Sequence, residues 1–177
     1  MNPKQLFCIF IVALITLGGS CCKKDEQQPP SPPHEKYNYF VAKVDGKAWK
    51  ICGPITTPWY TAQYFTNSYF DIEGRNSCDT SITATHIYMK IYNLNDTGKF
   101  IFGGTSNNYA KYTKYVQVQG IEYKTDSIHT GTIKIAQFDF TSNKISGTFQ
   151  FDAFNTDSNK VISIIEGEFT NVEFYKF

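Results

Sequence analysis

The sequence predicts an all-β domain, an antiparallel β-sandwich or flattened β-barrel of about ten short strands, and three observations carry that reading. From Tyr37 onward apolar residues recur at every second position, the period of a strand with one buried and one wet face. Turn residues return roughly every ten positions, the spacing of hairpins. No window shows the three-four spacing of an amphipathic helix flanked by caps. With 41% hydrophobic and 16% aromatic residues, the chain can fill a core and is too apolar for disorder.

The N-terminal segment is of another kind. Met1 to Gln5 carries one Lys and no acid, Leu6 to Leu17 is a run of twelve largely apolar residues, and Gly18, Gly19 and Ser20 follow. These are the parts of a secretory signal, here residues 1–20. Twelve helical residues span about 18 Å, short of the roughly 30 Å hydrocarbon core, so a permanent transmembrane helix is disfavoured. Leu17-Gly18-Gly19-Ser20-Cys21 resembles a relaxed bacterial lipobox, which implies cleavage before Cys21 and a diacylglycerol on its sulfur; Cys22 is the rival if the site slips by one. Acyl chains contribute about 0.8 kcal/mol per buried methylene, so two or three hold a domain on a membrane without a spanning helix.

Residues 21–36 read as the lipidated cysteine and a flexible tether, because four prolines and no large apolar residue between Lys23 and Lys36 forbid packing. Lys24-Asp25-Glu26 resembles the short signal that sends Bacteroidetes lipoproteins to the outer face of the outer membrane; a solvated charge run reads the same way. The expected location is the outer membrane, through the lipid anchor.

Residues 37–177 form the expected all-β domain. Tyr39 to Val44 and Lys47 to Ile51 flank Asp45-Gly46, the pair that suits a type I′ turn and sets Trp49 opposite Ala42. Ser81 to Tyr92 alternates, with Ile87, Met89 and Ile91 on one side and His86, Tyr88 and Lys90 on the other. Gly98 to Gly104 holds a short strand, and Tyr112 to Gln119 another. Thr130 to Ile135, Phe138 to Phe140 and Ile145 to Phe151 follow, the last two around a Thr-Ser-Asn turn. Val161 to Phe169 and Val172 to Phe177 complete the set after the polar loop Asn155 to Lys160.

The lipoprotein leader, Val44-Asp45-Gly46-Lys47-Ala48-Trp49, Gly131-Thr132-Ile133-Lys134-Ile135, Lys144 to Phe151 and Glu166-Gly167-Glu168-Phe169-Thr170-Asn171-Val172 together resemble a family of uncharacterised Bacteroidetes lipoproteins. The resemblance implies fold and address. It implies no catalytic residues.

Chemistry is sparse. The 17 basic residues against 16 acidic ones argue against a nucleic-acid partner, which would need a basic face. No nucleophile elbow, phosphate loop, dinucleotide glycine pattern or His-Glu-x-x-His occurs, and no metal or cofactor is expected. His34, His86 and His129 lack a second ligand at metal spacing. Asn155 to Glu166 has some oxygens of a calcium loop, but Lys160 stands where such a loop needs glycine, which favours a hairpin. Glu166 and Glu168, two residues apart on one strand face, are a conceivable carboxylate pair, and spatial clustering with His86 is the one route to catalysis.

Cys52 and Cys78 are the two cysteines left beyond the leader and the anchor. In an exported chain they suggest a disulfide worth about 3.5 kcal/mol on the chain-entropy model; two buried thiols are the alternative. Trp59, Tyr60 and Tyr64 head an aromatic cluster that could stack on sugars, and Tyr109, Tyr112, Tyr115 and Tyr123 form a second; core packing is the plain alternative for both. Asp126-Ser127-Ile128 resembles an O-glycosylation site of exported Bacteroidetes proteins.

The expected function is a non-catalytic binding or adhesion module on the cell envelope, taking a glycan or another envelope protein. The alternative is a lipocalin-like barrel around an apolar small molecule. A filled interior favours the first, a lined lumen the second.

Overall fold

The computed structural model describes residues 39–53, 59–78, 83–116 and 119–177. The signal segment, the tether, Cys21, Cys22 and His34 lie outside the described residues. Twelve strands and no helix occur among those described: β1 (Tyr39–Val44), β2 (Lys47–Lys50), β3 (Tyr60–Phe65), β4 (Tyr69–Asn76), β5 (Thr83–Tyr92), β6 (Gly98–Phe102), β7 (Tyr109–Val116), β8 (Gln119–Lys124), β9 (Gly131–Asp139), β10 (Lys144–Asn155), β11 (Lys160–Glu173) and β12 (Tyr175–Lys176).

They form one strongly curled open sheet in the order β12-β3-β4-β5-β7-β8-β10-β11-β1-β2, with β9 on β10 and β6 on β9. Strand β10 shares one edge between two neighbours, Lys144 to Phe151 facing β9 and Phe154 facing Lys124 of β8. The curl brings the ends of the sheet together. Strand β12, just beyond β11, pairs in parallel with β3, and Cys52 beyond β2 bridges Asn76 of β4. Cys52 and Cys78 are disulfide-bonded across that seam, with their Cα atoms 5.3 Å apart.

Turn chemistry explains the local geometry. Asp45 and Gly46 both have positive φ, 47° and 75°, and Ala42 pairs with Trp49 as a two-residue turn requires. At the β9–β10 turn Asp139 accepts hydrogen bonds from the Thr141 and Ser142 amides, while Asn143 takes the left-handed conformation. The β10–β11 hairpin is closed by Asn155, which accepts from the Ser158 amide and hydroxyl. Asn155 to Glu166 is therefore a hairpin and the start of a strand.

Three boundaries differ from expectation. Val161 to Phe177 does not divide after Phe169. Instead β11 runs unbroken to Glu173, and register shifts near Glu166 and Asn171, both at positive φ, absorb extra residues as bulges. The segment Gly131 to Asp139 is likewise one strand, with a shift opposite Ser146 and Gly147. The expected strand from Tyr112 to Gln119 belongs to two strands, β7 and β8, paired with each other. Val116-Gln117-Val118-Gln119 alternates without Gly, Pro or Asn, so nothing in its composition signals a reversal.

The inner face is filled by aromatic rings. Phe40 lies 5.7 Å from Trp49, 5.3 Å from Phe149 and 5.9 Å from Phe169, so rings from β1, β2, β10 and β11 meet. Trp49 reaches across to β5, donating its indole N–H to Thr85 Oγ1 at 2.8 Å. The approach needs Gly74 on β4, where a Cβ would stand 3.0 Å from both Phe40 and Trp49. A second cluster joins Tyr64, Phe70, Phe138 and Phe174. Each buried ring of this size contributes about 1.5–3 kcal/mol through area alone.

A candidate binding groove on the outer face

The inner face is occupied by the core, and strand alternation sends the polar side chains to the outer face. The β4–β5–β7–β8 side and the β6–β9–β10–β11 side differ in how their charges are arranged.

On the first side, outward residues engage one another. Glu73 accepts from Arg75 at 2.8 Å and meets His86 Nδ1 at 2.6 Å, and the His86 ring packs 4.7 Å from Tyr115. Burial pushes the Glu73 carboxyl up, but the hydrogen bonds and charges of His86 and Arg75 outweigh it and hold the group below its ordinary value. Glu73 in turn raises Arg75. Tyr88 donates to Asp71 at 3.3 Å; burial lifts both groups above their ordinary values, with the Asp71 charge adding to the rise at Tyr88. Lys90 sits 3.4 Å over the Tyr69 ring and Lys124 4.4 Å over Tyr109, so these ring faces are already covered by cations.

The second side is concave. Two adjoining grooves of about 600 and 510 Å³ share Lys99, Thr132 and Gln150. Thr130, Asp152 and Ser163 lie at one end, Thr148, Lys134 and Glu168 at the other. From Asp152 to Thr148 along β10 the floor runs about 14 Å. Two apolar side chains project into the first groove, Ile101 at 56% exposure and Ile165 at 39%. The crossing of β10 and β11 is tight because Gly167 faces the Phe149 ring, where a Cβ would stand 2.5 Å away. Every strand forming the floor is paired on both edges: β9 between β6 and β10, β10 between β9 and β11, β11 between β10 and β1.

Glu166 and Glu168 both reach this side but engage separate partners. Glu166 pairs with Lys43 at 2.7 Å, while Glu168 accepts a hydrogen bond from the Tyr39 hydroxyl. Burial and the Glu168 contact raise the Tyr39 phenol. His86 lies on β5, which is not a neighbour of β11, and is taken by Glu73. The three groups considered as a catalytic cluster are thus engaged separately.

The first aromatic cluster is split by strand alternation. Tyr64 turns inward at 7% exposure against Phe140 and Phe174, the core packing that is one of its two readings. Tyr60 is half-buried and packs against the same core, and Trp59 lies over Gly53. Of the second cluster, Tyr112 and Tyr123 are buried, and Tyr109 and Tyr115 face outward. Ser127 is exposed in a turn where Asp126 accepts from the Ile128 and His129 amides. Among the described residues, no group of three or more His, Cys, Asp or Glu side chains is placed to hold a metal.

Sequence reasoning missed the groove residues Lys99, Thr132, Lys134 and Gln150. The alternation of Thr132-Ile133-Lys134-Ile135 marks an outward pair. That β6 would lie beside β9 was invisible, because the pairing joins Lys99 to Lys134 across a long stretch of chain.

Comparison with curated proteins and with solved structures gave no match. Residues 38–173 match a family described only as a domain of unknown function, DUF6252, and the span covers nearly all of the strands described above. The chain belongs to the DUF6252 family.

Proposed function

We propose that this chain is a non-catalytic binding module, carried at the outer membrane on a lipid at Cys21 and a Pro-rich tether, and that its ligand is a glycan held in the β6–β9–β10–β11 groove. The observation that carries the reading is a groove floored by strands already paired on both edges. A peptide recognised by strand addition needs free backbone N–H and C=O groups, which such a floor does not offer. Only β6, at the rim, has an unpaired edge, since it pairs with β9 alone, so the floor binds through side chains. They are hydroxyls and an amide, Thr130, Thr132, Thr148 and Gln150, beside the exposed Ile101 and Ile165. Short polar groups next to apolar contact match the hydroxyls and C–H faces of sugar rings. The interior favours this reading over an enclosed apolar ligand, since Phe40, Phe149 and Phe169 meet where a lumen would be.

The test is an oligosaccharide array probed with the full chain in detergent, before and after Gln150→Trp, which fills the groove from an exposed strand position. Binding lost with Gln150→Trp and kept with Trp59→Ala supports the site. Binding that survives Gln150→Trp, or an empty array, overturns it. Intact mass of the extracted protein should begin at Cys21 with lipid attached.

A further inference from the structure

We propose that the groove selects an acidic oligosaccharide, with the ring carboxylate of a uronic acid held between Lys99 and Lys134; this rests on the groove being the glycan site. The two lysines are direct cross-strand partners in the β6–β9 pair, and both face outward into the groove wall. Directly opposed residues have Cβ atoms about 4.5–5.5 Å apart, a separation at which like charges destabilise a sheet.

The molecule shows how it treats such a pair elsewhere. Lys111 and Lys124 are also direct partners, between β7 and β8. There Lys111 is bound by Glu122 at 2.8 Å and Lys124 rests 4.4 Å over the Tyr109 ring, so each charge has a counterpart. The other outward lysines divide: Lys43 pairs with Glu166, Lys90 lies over Tyr69, and Lys176 donates to the Phe140 carbonyl while lying over its ring, whereas Lys47, Lys50, Lys114 and Lys160 have no such partner among the described residues but none of them faces another lysine across a strand pair. Lys99 and Lys134 have no ion pair, hydrogen bond or ring contact among the described residues. The acids facing the groove do not supply one. Glu166 is taken by Lys43, Glu168 accepts from Tyr39, and Asp152 stands at the far end.

An opposed lysine pair without a counterion, in a concave wall, is a site for an anion supplied from outside. A carboxylate offers two oxygens, one for each ammonium, and such charge-assisted hydrogen bonds are about twice as strong as neutral ones. The remaining groups name the rest of the ligand. Thr132 and Gln150 lie next to the lysines and meet ring hydroxyls, and Ile101 lies under a C–H face. A bare anion would leave these unused.

The probe is fluorescein-labelled trigalacturonate, titrated into the full chain in detergent at 50 and 300 mM salt, with its methyl ester as the neutral arm and sodium phosphate as the free-anion arm. The acid should bind about tenfold tighter than the ester, and Lys99→Gln and Lys134→Gln should each weaken it about five- to tenfold. Binding should fall with salt. Both variants should melt about 1–4 °C higher than the parent because repulsion is relieved, so lost binding cannot be lost folding. Equal binding of acid and ester, or no effect of either lysine variant, overturns the inference; with Gln150→Trp still abolishing array binding, the glycan reading stands alone. Competition by phosphate at matched charge, with trigalacturonate binding untouched by Gln150→Trp, reduces the site to an anion site and overturns both.

Discussion

Two opposed lysine pairs, Lys111–Lys124 on one outer face and Lys99–Lys134 on the other, are the same local arrangement in different surroundings. In the first, Glu122 and the Tyr109 ring answer both charges, and Glu73 engages both Arg75 and His86, leaving the buried Arg75 Nε without a hydrogen-bond partner among the described residues. In the second, no acid touches either lysine: Glu166 pairs with Lys43, and Glu168, which accepts from the Tyr39 hydroxyl, lines the same groove on another strand. A face whose polar groups satisfy one another contributes to folding. A face that leaves like charges opposed gives up stability, as binding sites commonly do.

The largest loss should come at the seam joining the faces. Replacing Cys52 and Cys78 together by Ala should cost about 3 kcal/mol in urea unfolding, since the bond closes a separation of 26 residues and ties the end of β2 to the end of β4. Equal stability with and without reductant would show that the seam is held by packing alone.

On the paired face, Glu73→Gln should cost about 1–3 kcal/mol, because the half-buried Arg75 and His86 lose a charged acceptor. Lys134→Thr on the opposite face should stabilise. A loss of similar size from both would erase the distinction between the faces.

The paired face also sets an acid response. The Glu73 carboxyl titrates lower in the folded chain than its ordinary 4.5, so its contribution is complete above that value and is lost as pH falls through the depressed one. Asp126 follows the same sign over a lower window, from 3.8 to about 2, where the amide and side chain of His129 and the amide of Ile128 hold its carboxylate. Asp71 has the opposite sign, since burial raises it and the fold favours its neutral form. Melting curves from pH 7 to pH 2 should therefore fall below pH 4.5, and Glu73→Gln should flatten the upper part of that fall. A parallel shift at every pH would assign the acid loss elsewhere.

The smallest effect is opposite in sign. Lys99→Thr should raise stability by roughly 0.2–1 kcal/mol by removing one of two directly opposed charges. No change would mean that solvent alone screens the pair.

What could be read from the chain was whatever rests on near neighbours. The Asp45-Gly46 turn, the facing of Ala42 and Trp49, the inward set Ile87, Met89 and Ile91, and the Cys52–Cys78 bond follow from period two, turn residues and cysteine count. Bulges were not legible, because Glu166 and Asn171 at positive φ look in sequence like ordinary strand and turn residues. The groove was hidden for a topological reason. Lys99 and Lys134 become neighbours only when β6 pairs with β9, and no local pattern states which strands will meet. Tyr64 had two readings because an aromatic in an alternating run fits either face until its partners Phe138 and Phe174 are placed.

The pairing of β1 with β11 has a consequence for how the chain can be made. Tyr39 meets Glu168, 129 positions later, and Gln63 meets Tyr175 through β12. A chain emerging N-terminus first from the ribosome can pair β1 with β2 and β3 with β4 at once, but it exposes the other edge of each long before β11 and β12 exist. A truncation ahead of β11 would leave Phe40 and Trp49 without Phe169, an apolar edge open to other chains.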